Sequence, residues 1–294
     1  MPKIKSPLRY PGGKSQLASF VANLIDINNL KNCTYIEPFS GGAGIAIELL
    51  LTNQVKRIVL NDYDKSIYSI WYSILNHTDK LISLIENTPI TIDSWYEQKN
   101  IHEKNKNFRN SLLNGFSTLF LNRTNRSGII NAGPTGGYNQ KGNYKLDCRF
   151  NKVDIINKII SIAEEKNRID LYQKDALALI RIINEKYSAK NSFIFFDPPY
   201  FIQGNKLYTN FYHEKDHFDL AKAITNLNNY YWITTYDYTE KIYDIYSKYP
   251  ELQKFQYQLS YSAQNKIKAT EYLFASPKIR INSYSKIILT RCKI

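Results

Sequence analysis

Ser192 to Tyr200 reads SFIFFDPPY, and its chemistry is concentrated in the last four residues. Asp197 follows directly on an apolar run, Phe193 to Phe196, of the kind expected for a strand buried on both faces of a parallel sheet. Pro198 and Pro199 remove two successive N–H donors, fix their own φ angles and hold the residue before each extended. The result is a stiff ledge of acceptors, the Asp197 carboxylate and the Pro198 carbonyl, with the Tyr200 ring beside them. Such a ledge suits a flat ligand that donates N–H groups, such as the amino edge of a nucleobase. A Pro-Pro turn that merely ends a core strand is the plain alternative, and the surrounding sequence has to decide between them.

Four stretches elsewhere read as the scaffold for that ledge. Ser6 to Lys14, SPLRYPGGK, is a tight loop entering a helical pattern over Gln16 to Leu24, and it lets backbone N–H groups and Lys14 approach an anionic group. Thr34 to Gly44, TYIEPFSGGAG, is a short strand and a glycine-rich turn feeding a helix over Ile45 to Leu51. Arg57 to Asp64, RIVLNDYD, is a second buried strand, and Asp62 falls 18 positions after Gly44. That is close to the spacing at which an acid accepts both hydroxyls of a ribose, with Asp64 as the fallback and a surface turn as the plain reading. Asp170 to Ile180 is a further strand whose Asp175 stands at a helix entry, where an N-cap is the commoner role. Past the ledge, Asp216 suits an N-cap and Tyr230 to Tyr236 another strand. His213 and His217 have metal-ligand spacing, but no third ligand is near and no metal is expected.

Between Ser66 and Ile162 the alternation of strand and helix stops. Helical patterns over Ile67–Leu75, Lys80–Glu86, Asp93–Glu103 and Arg109–Leu121 precede a Gly- and Asn-rich basic stretch to Phe150, read as an irregular hairpin. The net charge of +13 is concentrated. Arg109 to Lys152 holds seven basic residues against one acidic, Lys254 to Ile294 eight against one, and the remainder is neutral. Basic clusters interleaved with Tyr, Asn and Gln are the footprint of a polyanion-binding surface; a solvated basic face without a partner is the alternative. Arg123, Asn125, Arg126, Lys141, Lys145 and Arg149 can offer bidentate or point-charge donors to guanine edges and phosphates.

Taken together these segments resemble the Dam-type, alpha-class DNA adenine-N6 methyltransferases over most of the chain. The resemblance implies a doubly wound, mostly parallel, seven-stranded Rossmann-like α/β sheet, with residues 1–65 and 163–294 as the catalytic domain. Residues 66–162 would form an inserted, mainly helical target-recognition domain. It implies S-adenosylmethionine as cofactor, lined by Tyr10, Lys14, Phe39, Gly41, Gly44, Asp62, Asp175 and Asp197, and double-stranded DNA as partner, with Arg9 touching a base or phosphate. Asp197, Pro198 and Tyr200 would carry catalysis on a flipped adenine, and the segment after the ledge would close on that base. The basic stretch SAQNKIKATEY would be a loop facing DNA. Where GATC methylases show Asn-Gly-Arg and FNVP-type segments, this chain has NRSGII and YKLDCRFNK, so GATC is not the expected target. A cognate restriction endonuclease acting separately is a possible partner.

Composition bounds the rest. Hydrophobic residues at 43% and charged residues at 22% exclude a disordered chain and suit a soluble globular one. No apolar run approaches a membrane span and the N-terminus lacks a signal-peptide core, so the cytoplasm is expected. Three scattered cysteines form neither a disulfide nor a zinc framework. The competing functions are cytosine-N4 methylation, which presents the same amine donors, methylation of RNA, and nucleic-acid binding without catalysis.

Overall fold

A computed structural model describes residues 5–9, 14–201, 212–262 and 266–292. The short apolar runs become the inner strands of one eight-stranded sheet, ordered β3-β2-β1-β4-β5-β7-β6-β8. β1 (Thr34–Glu37), β2 (Arg57–Asn61), β3 (Ile169–Tyr172), β4 (Ser192–Phe196) and β5 (Tyr231–Asp237) run parallel. β6 (Gln253–Ser262), β7 (Lys266–Ala275) and the two-residue β8 (Thr290–Arg291) are antiparallel additions beyond β5. The sheet therefore has one strand more than the expected seven, and its parallel part stops at five. The hairpin β6–β7 turns the chain back on itself, and β7, the strand of it paired with β5, runs against β5.

β4 is buried along its whole length. Its side chains alternate: Phe193 and Phe195 enter the core on one face, Ile194 and Phe196 the core on the other. Two layers cover the sheet for that reason. On the first face lie α1 (Ala18–Ile27), α2 (Gly44–Leu51) and the helices inserted between β2 and β3. On the second lie α8 (Ala176–Lys186), α9 (Glu214–Thr225) and α10 (Glu240–Ser247).

The insertion comprises α3 (Lys65–Asn76), α4 (Thr78–Asn87), α5 (Ile92–Asn105), α6 (Leu112–Thr124) and α7 (Lys152–Glu164). The first four match the helical patterns in the sequence; α7, capped by Asn151 and burying Ile155, Ile159 and Ile162, extends the helical part. It shares the first core continuously with the sheet rather than building one of its own. Residues 125–150 contain 3-10 turns and one isolated bridge, Asn125 to Pro134, in place of extended hairpin strands. Five glycines in this stretch explain the difference, since glycine weakens strands and Gly128, Gly136 and Gly137 take positive φ. No described helix is long and apolar enough to cross a membrane.

The strand order reverses between β1 and β4, with β2 and β3 on one side and β5 on the other. In doubly wound sheets the crevice at the carboxyl ends of such a pair is where ligands bind. The loops leaving β1, β2 and β4 all emerge at that end, and they carry Phe39, Asp62 and Asp197.

Candidate active site

Asp197 leaves β4 beside Thr235 of β5, because Phe196 and Thr234 are register partners. Its two oxygens are used differently. Oδ1 accepts from Thr235 Oγ1 at 2.9 Å and pairs with Lys14 Nζ at 3.2 Å. Oδ2 accepts no hydrogen bond among the described residues, and the side chain keeps 23% of its exposure. The Pro198 carbonyl likewise accepts none among them. Burial pushes the Asp197 carboxyl above its usual range; Lys14 pulls it down and Glu271 pushes it further up.

Lys14 is almost wholly buried, at 3% side-chain exposure, so it faces carboxylates and not solvent. Its ammonium also sits 3.3 Å from Glu271 Oε2, lies over the Tyr200 ring and contacts the Tyr200 hydroxyl. Tyr200 Oη donates to Glu271 Oε1 at 2.5 Å and Tyr257 Oη donates to Glu271 Oε2 at 2.6 Å. Glu271 lies on β7, opposite Asp237 of β5 and Tyr257 of β6. Lys266 to Tyr272 is thus strand, not loop, and residues 263–265 lie outside the described ones. A lone acid in a basic stretch, two residues before a buried apolar run, was the one available signal for Glu271.

Beneath this cluster Glu37, at the end of β1, is buried and its Oε1 accepts from Tyr35 Oη at 2.9 Å and Ala46 N at 3.2 Å. Burial raises its carboxyl to about 8, against the pull of those two donors. A carboxyl held above its unfolded value of about 4 binds its proton more tightly when folded, so its contribution to stability falls as pH rises from about 4 through about 8. Glu37→Gln, which keeps the accepting oxygen, is expected to melt with the parent near pH 4 and increasingly above it as pH rises to 9; equal melting temperatures at pH 9 would show that Glu37 ionises at no cost.

On the neighbouring turn, Gly41 has φ +45° and Ala43 caps α2 in the left-handed region, so the chain folds back sharply over β1. Asp62 braces that turn: Oδ2 accepts from Gly41 N at 2.8 Å and Oδ1 from Asp64 N at 2.9 Å. Each oxygen still has acceptor capacity. Burial, then Asp64, raises the Asp62 carboxyl to about 7. Trp71 Nε1 donates to the Gly41 carbonyl at 3.0 Å from the other side. Ser40 Oγ is buried with no hydrogen-bond partner among the described residues. Phe39 is half-buried, edge-on to Tyr212. Gly44 opens α2. Asp64 caps α3 and Asp175 caps α8, accepting from Leu177 N at 2.9 Å, each the ordinary role for an acid at a helix entry. The cap of α9 is His213, with Asp216 three residues on accepting from its N–H at 2.8 Å. His217 is buried among the Phe201, Tyr212 and Tyr236 rings. Tyr10 and residues 202–211 lie outside the described residues.

The polar residues expected to face DNA do not share one environment. Asn122 clamps the N-terminal segment, accepting from Arg9 N at 2.9 Å and donating to the Arg9 carbonyl at 2.6 Å. Gly128 lies so close to that carbonyl that a side chain would collide with it. Arg9 is thereby gathered with Arg123 and Arg149: burial and the Arg149 charge lower Arg9, and burial, then Arg9, brings Arg123 down to about 10. Arg126, Lys141, Lys145 and Arg149 are exposed, Lys145 donating to the Gln140 carbonyl at 2.6 Å. Asn125 is not on the surface. Its Oδ1 accepts from Trp95 Nε1 at 2.7 Å and its Nδ2 donates to the Ile129 and Ile130 carbonyls at 3.0 and 2.8 Å. Asn125→Ala strands buried partners and is expected to cost about 2–3 kcal/mol of unfolding free energy; a urea midpoint matching the parent would remove that structural role.

Fold and site together define the class: a doubly wound α/β protein with a ledge of hydrogen-bond acceptors at its switch point. A family model of the D12 class N6 adenine-specific DNA methyltransferases matches residues 10–275, and the chain belongs to that family. It is 26% identical over 212 residues to the type II methyltransferase M.MjaIII of Methanocaldococcus jannaschii, covering 67% of this chain and 70% of that one. It is 24% identical over 272 residues to the type II methyltransferase M.CviBI of Paramecium bursaria Chlorella virus NC1A, covering 86% and 92%. Among solved structures it is similar to an rRNA methyltransferase, aviRa, from Streptomyces viridochromogenes, with a TM-score of 0.44 and 9% identity over 92% of this chain and 88% of that one. The protein is therefore an enzyme that methylates the N6 amine of adenine in DNA. Its family implies a methyl donor of the S-adenosylmethionine type.

Proposed function

We propose that the chain extrudes an adenine from double-stranded DNA and methylates it directly at the Asp197 ledge, without a covalent enzyme intermediate. The observation that carries this is the division of labour at Asp197, with Oδ1 held by Lys14 and Thr235 while Oδ2 is left as an acceptor. The exocyclic amine of adenine is a poor nucleophile because its lone pair is delocalised into the ring. Oδ2 and the Pro198 carbonyl each accept one N–H, drawing the nitrogen toward tetrahedral geometry and freeing that pair. Both acceptors also stabilise positive charge as it develops on nitrogen. Tyr200 stacks on the extruded base, contributing about 1–3 kcal/mol against the loss of base stacking.

S-adenosylmethionine, when bound, supplies a methyl group made electrophilic by its sulfonium. The residues present fit it: Asp62 has acceptor capacity for two ribose hydroxyls, Ser40 Oγ has no partner among the described residues, and Phe39 offers an apolar ring at the Gly41 turn. Asp175 and Tyr10 are further contacts in this reading, Lys14 acts from beneath through Asp197, and Gly41 and Gly44 shape the turn. The transfer of tritiated methyl to a duplex tests the proposal. Label recovered in N6-methyladenine is expected; label in cytosine, or none, would end it.

Duplex contact in this reading falls to Arg9, Arg123, Arg126, Lys141, Lys145 and Arg149, with Asn125 bracing the turn that carries Arg126. Arg149→Ala should weaken binding evenly across sequences and reduce the slope of log affinity against log salt by about 1; an unchanged slope would remove Arg149 from the interface. The type II relatives favour a modification role alongside a separate restriction endonuclease, and the NRSGII and YKLDCRFNK segments favour a word other than GATC. Modification-sensitive sequencing of DNA from expressing cells reads that word directly.

A further inference from the structure

We infer that Glu271 is a positioning residue of the transfer reaction, holding the Tyr200 ring and the Lys14 ammonium so that Asp197 presents its second oxygen to the amine. The inference rests on the function proposed above. Five groups from distant segments meet here: Lys14 before α1, Asp197 and Tyr200 after β4, Tyr257 on β6 and Glu271 on β7. Glu271 is 1% exposed, so its charge has been withdrawn from water into this cluster. Both its oxygens are engaged, Oε1 by Tyr200 and Oε2 by Tyr257, and Lys14 Nζ stands 3.3–3.4 Å from each. Tyr200 is thereby fixed at its hydroxyl end, which leaves the ring face turned away from Lys14 as the part available to a base.

The ammonium lies between two carboxylates and its charge is shared between them. Without the Glu271 charge it would bear on Asp197 alone and withdraw electron density from the acceptor the amine needs. The other ionisable groups around Asp197 are Tyr35 and Glu37 from β1 and the Tyr200 phenol, with Asp237 on β5 beside Glu271 in register. Thr235 adds a neutral hydroxyl. A purely structural ion pair would hold the hairpin to the sheet and leave the chemistry alone; a positioning residue changes the chemical step.

Glu271→Gln keeps an accepting oxygen and the side-chain shape while removing the charge. Under single-turnover conditions it is expected to lower the transfer rate about 10- to 100-fold, the scale set by misplacing reacting groups. Half-saturating DNA and S-adenosylmethionine should change by less than about threefold, the mark of an interaction made in the transition state. The acid limb of the rate should move to lower pH, because Asp197 loses the neighbour that favours its proton. Tyr257→Phe keeps the charge and removes one donor, so it should lower the rate about three- to tenfold and leave the limb in place. Thermal stabilisation by S-adenosylhomocysteine reports whether each variant is folded. An active parent with a folded Glu271→Gln variant of parental rate and pH limb, or one whose loss lies entirely in half-saturation, overturns the inference alone. Should Glu271→Gln not fold, parental behaviour of Tyr257→Phe overturns it. An inactive parent brings down the proposed function and this inference together.

Discussion

Asp197→Ala is expected to reduce methyl transfer by at least about 10²–10³-fold, the scale for removing one preorganised group that stabilises transition-state charge. Duplex binding should persist. The fold tolerates the change because Lys14 would still face Glu271 and Tyr200, so no buried charge loses its last partner. Transfer of tritiated methyl and a gel-shift on the same preparation separate the two effects. Parental turnover would strip Asp197 of the role given to it, and simultaneous loss of folding would show that the carboxylate serves architecture first. The raised Asp197 carboxyl adds a sign: the accepting form exists above its pKa, so the parental rate should fall as pH drops, with a limb above the ordinary aspartate range.

Lys14→Met carries the second large effect, and it acts on stability as well as rate. Removing the ammonium leaves Asp197 and Glu271 facing one another without their shared cation. Breaking a buried pair from one side costs about 3–5 kcal/mol, which in a chain of this size lowers the melting temperature by on the order of 10 °C. With the cation gone, Asp197 holds its proton to higher pH than in the parent, where Lys14 pulls the other way. The folded variant then binds more protons than its unfolded chain, so its stability declines as pH rises, more steeply than the parent's. Melting curves across neutral pH check this; a variant that melts with the parent throughout would mean that Lys14 is not the charge holding the cluster together.

Much of the site was legible because its geometry is local. SFIFFDPPY specifies in nine consecutive residues a buried strand, an acid at its end and a donor-poor turn, and no distant contact can undo the fixed φ of two prolines. The Gly41 turn and the acid 18 positions past Gly44 are likewise set by spacing within one βαβ unit. Asn125 was misleading for a physical reason. An amide in a polar, basic stretch looks like a base reader, yet its oxygen is held by Trp95 and its amino group by the Ile129 and Ile130 carbonyls inside the fold. The Gly-Gly approach suggests that Lys14 cradles an anion, whereas its burial against two carboxylates comes from segments more than 180 residues away.

The residue order by itself determined the ledge, the strand that carries it and the turn beside it, since steric limits on neighbouring φ and ψ act without help from the rest of the chain. Only the tertiary structure decided which charges surround the ledge. Antiparallel pairing of β5, β7 and β6 brings Glu271 and Tyr257 under Tyr200, and register between distant strands is a property of the folded sheet that local pattern does not encode.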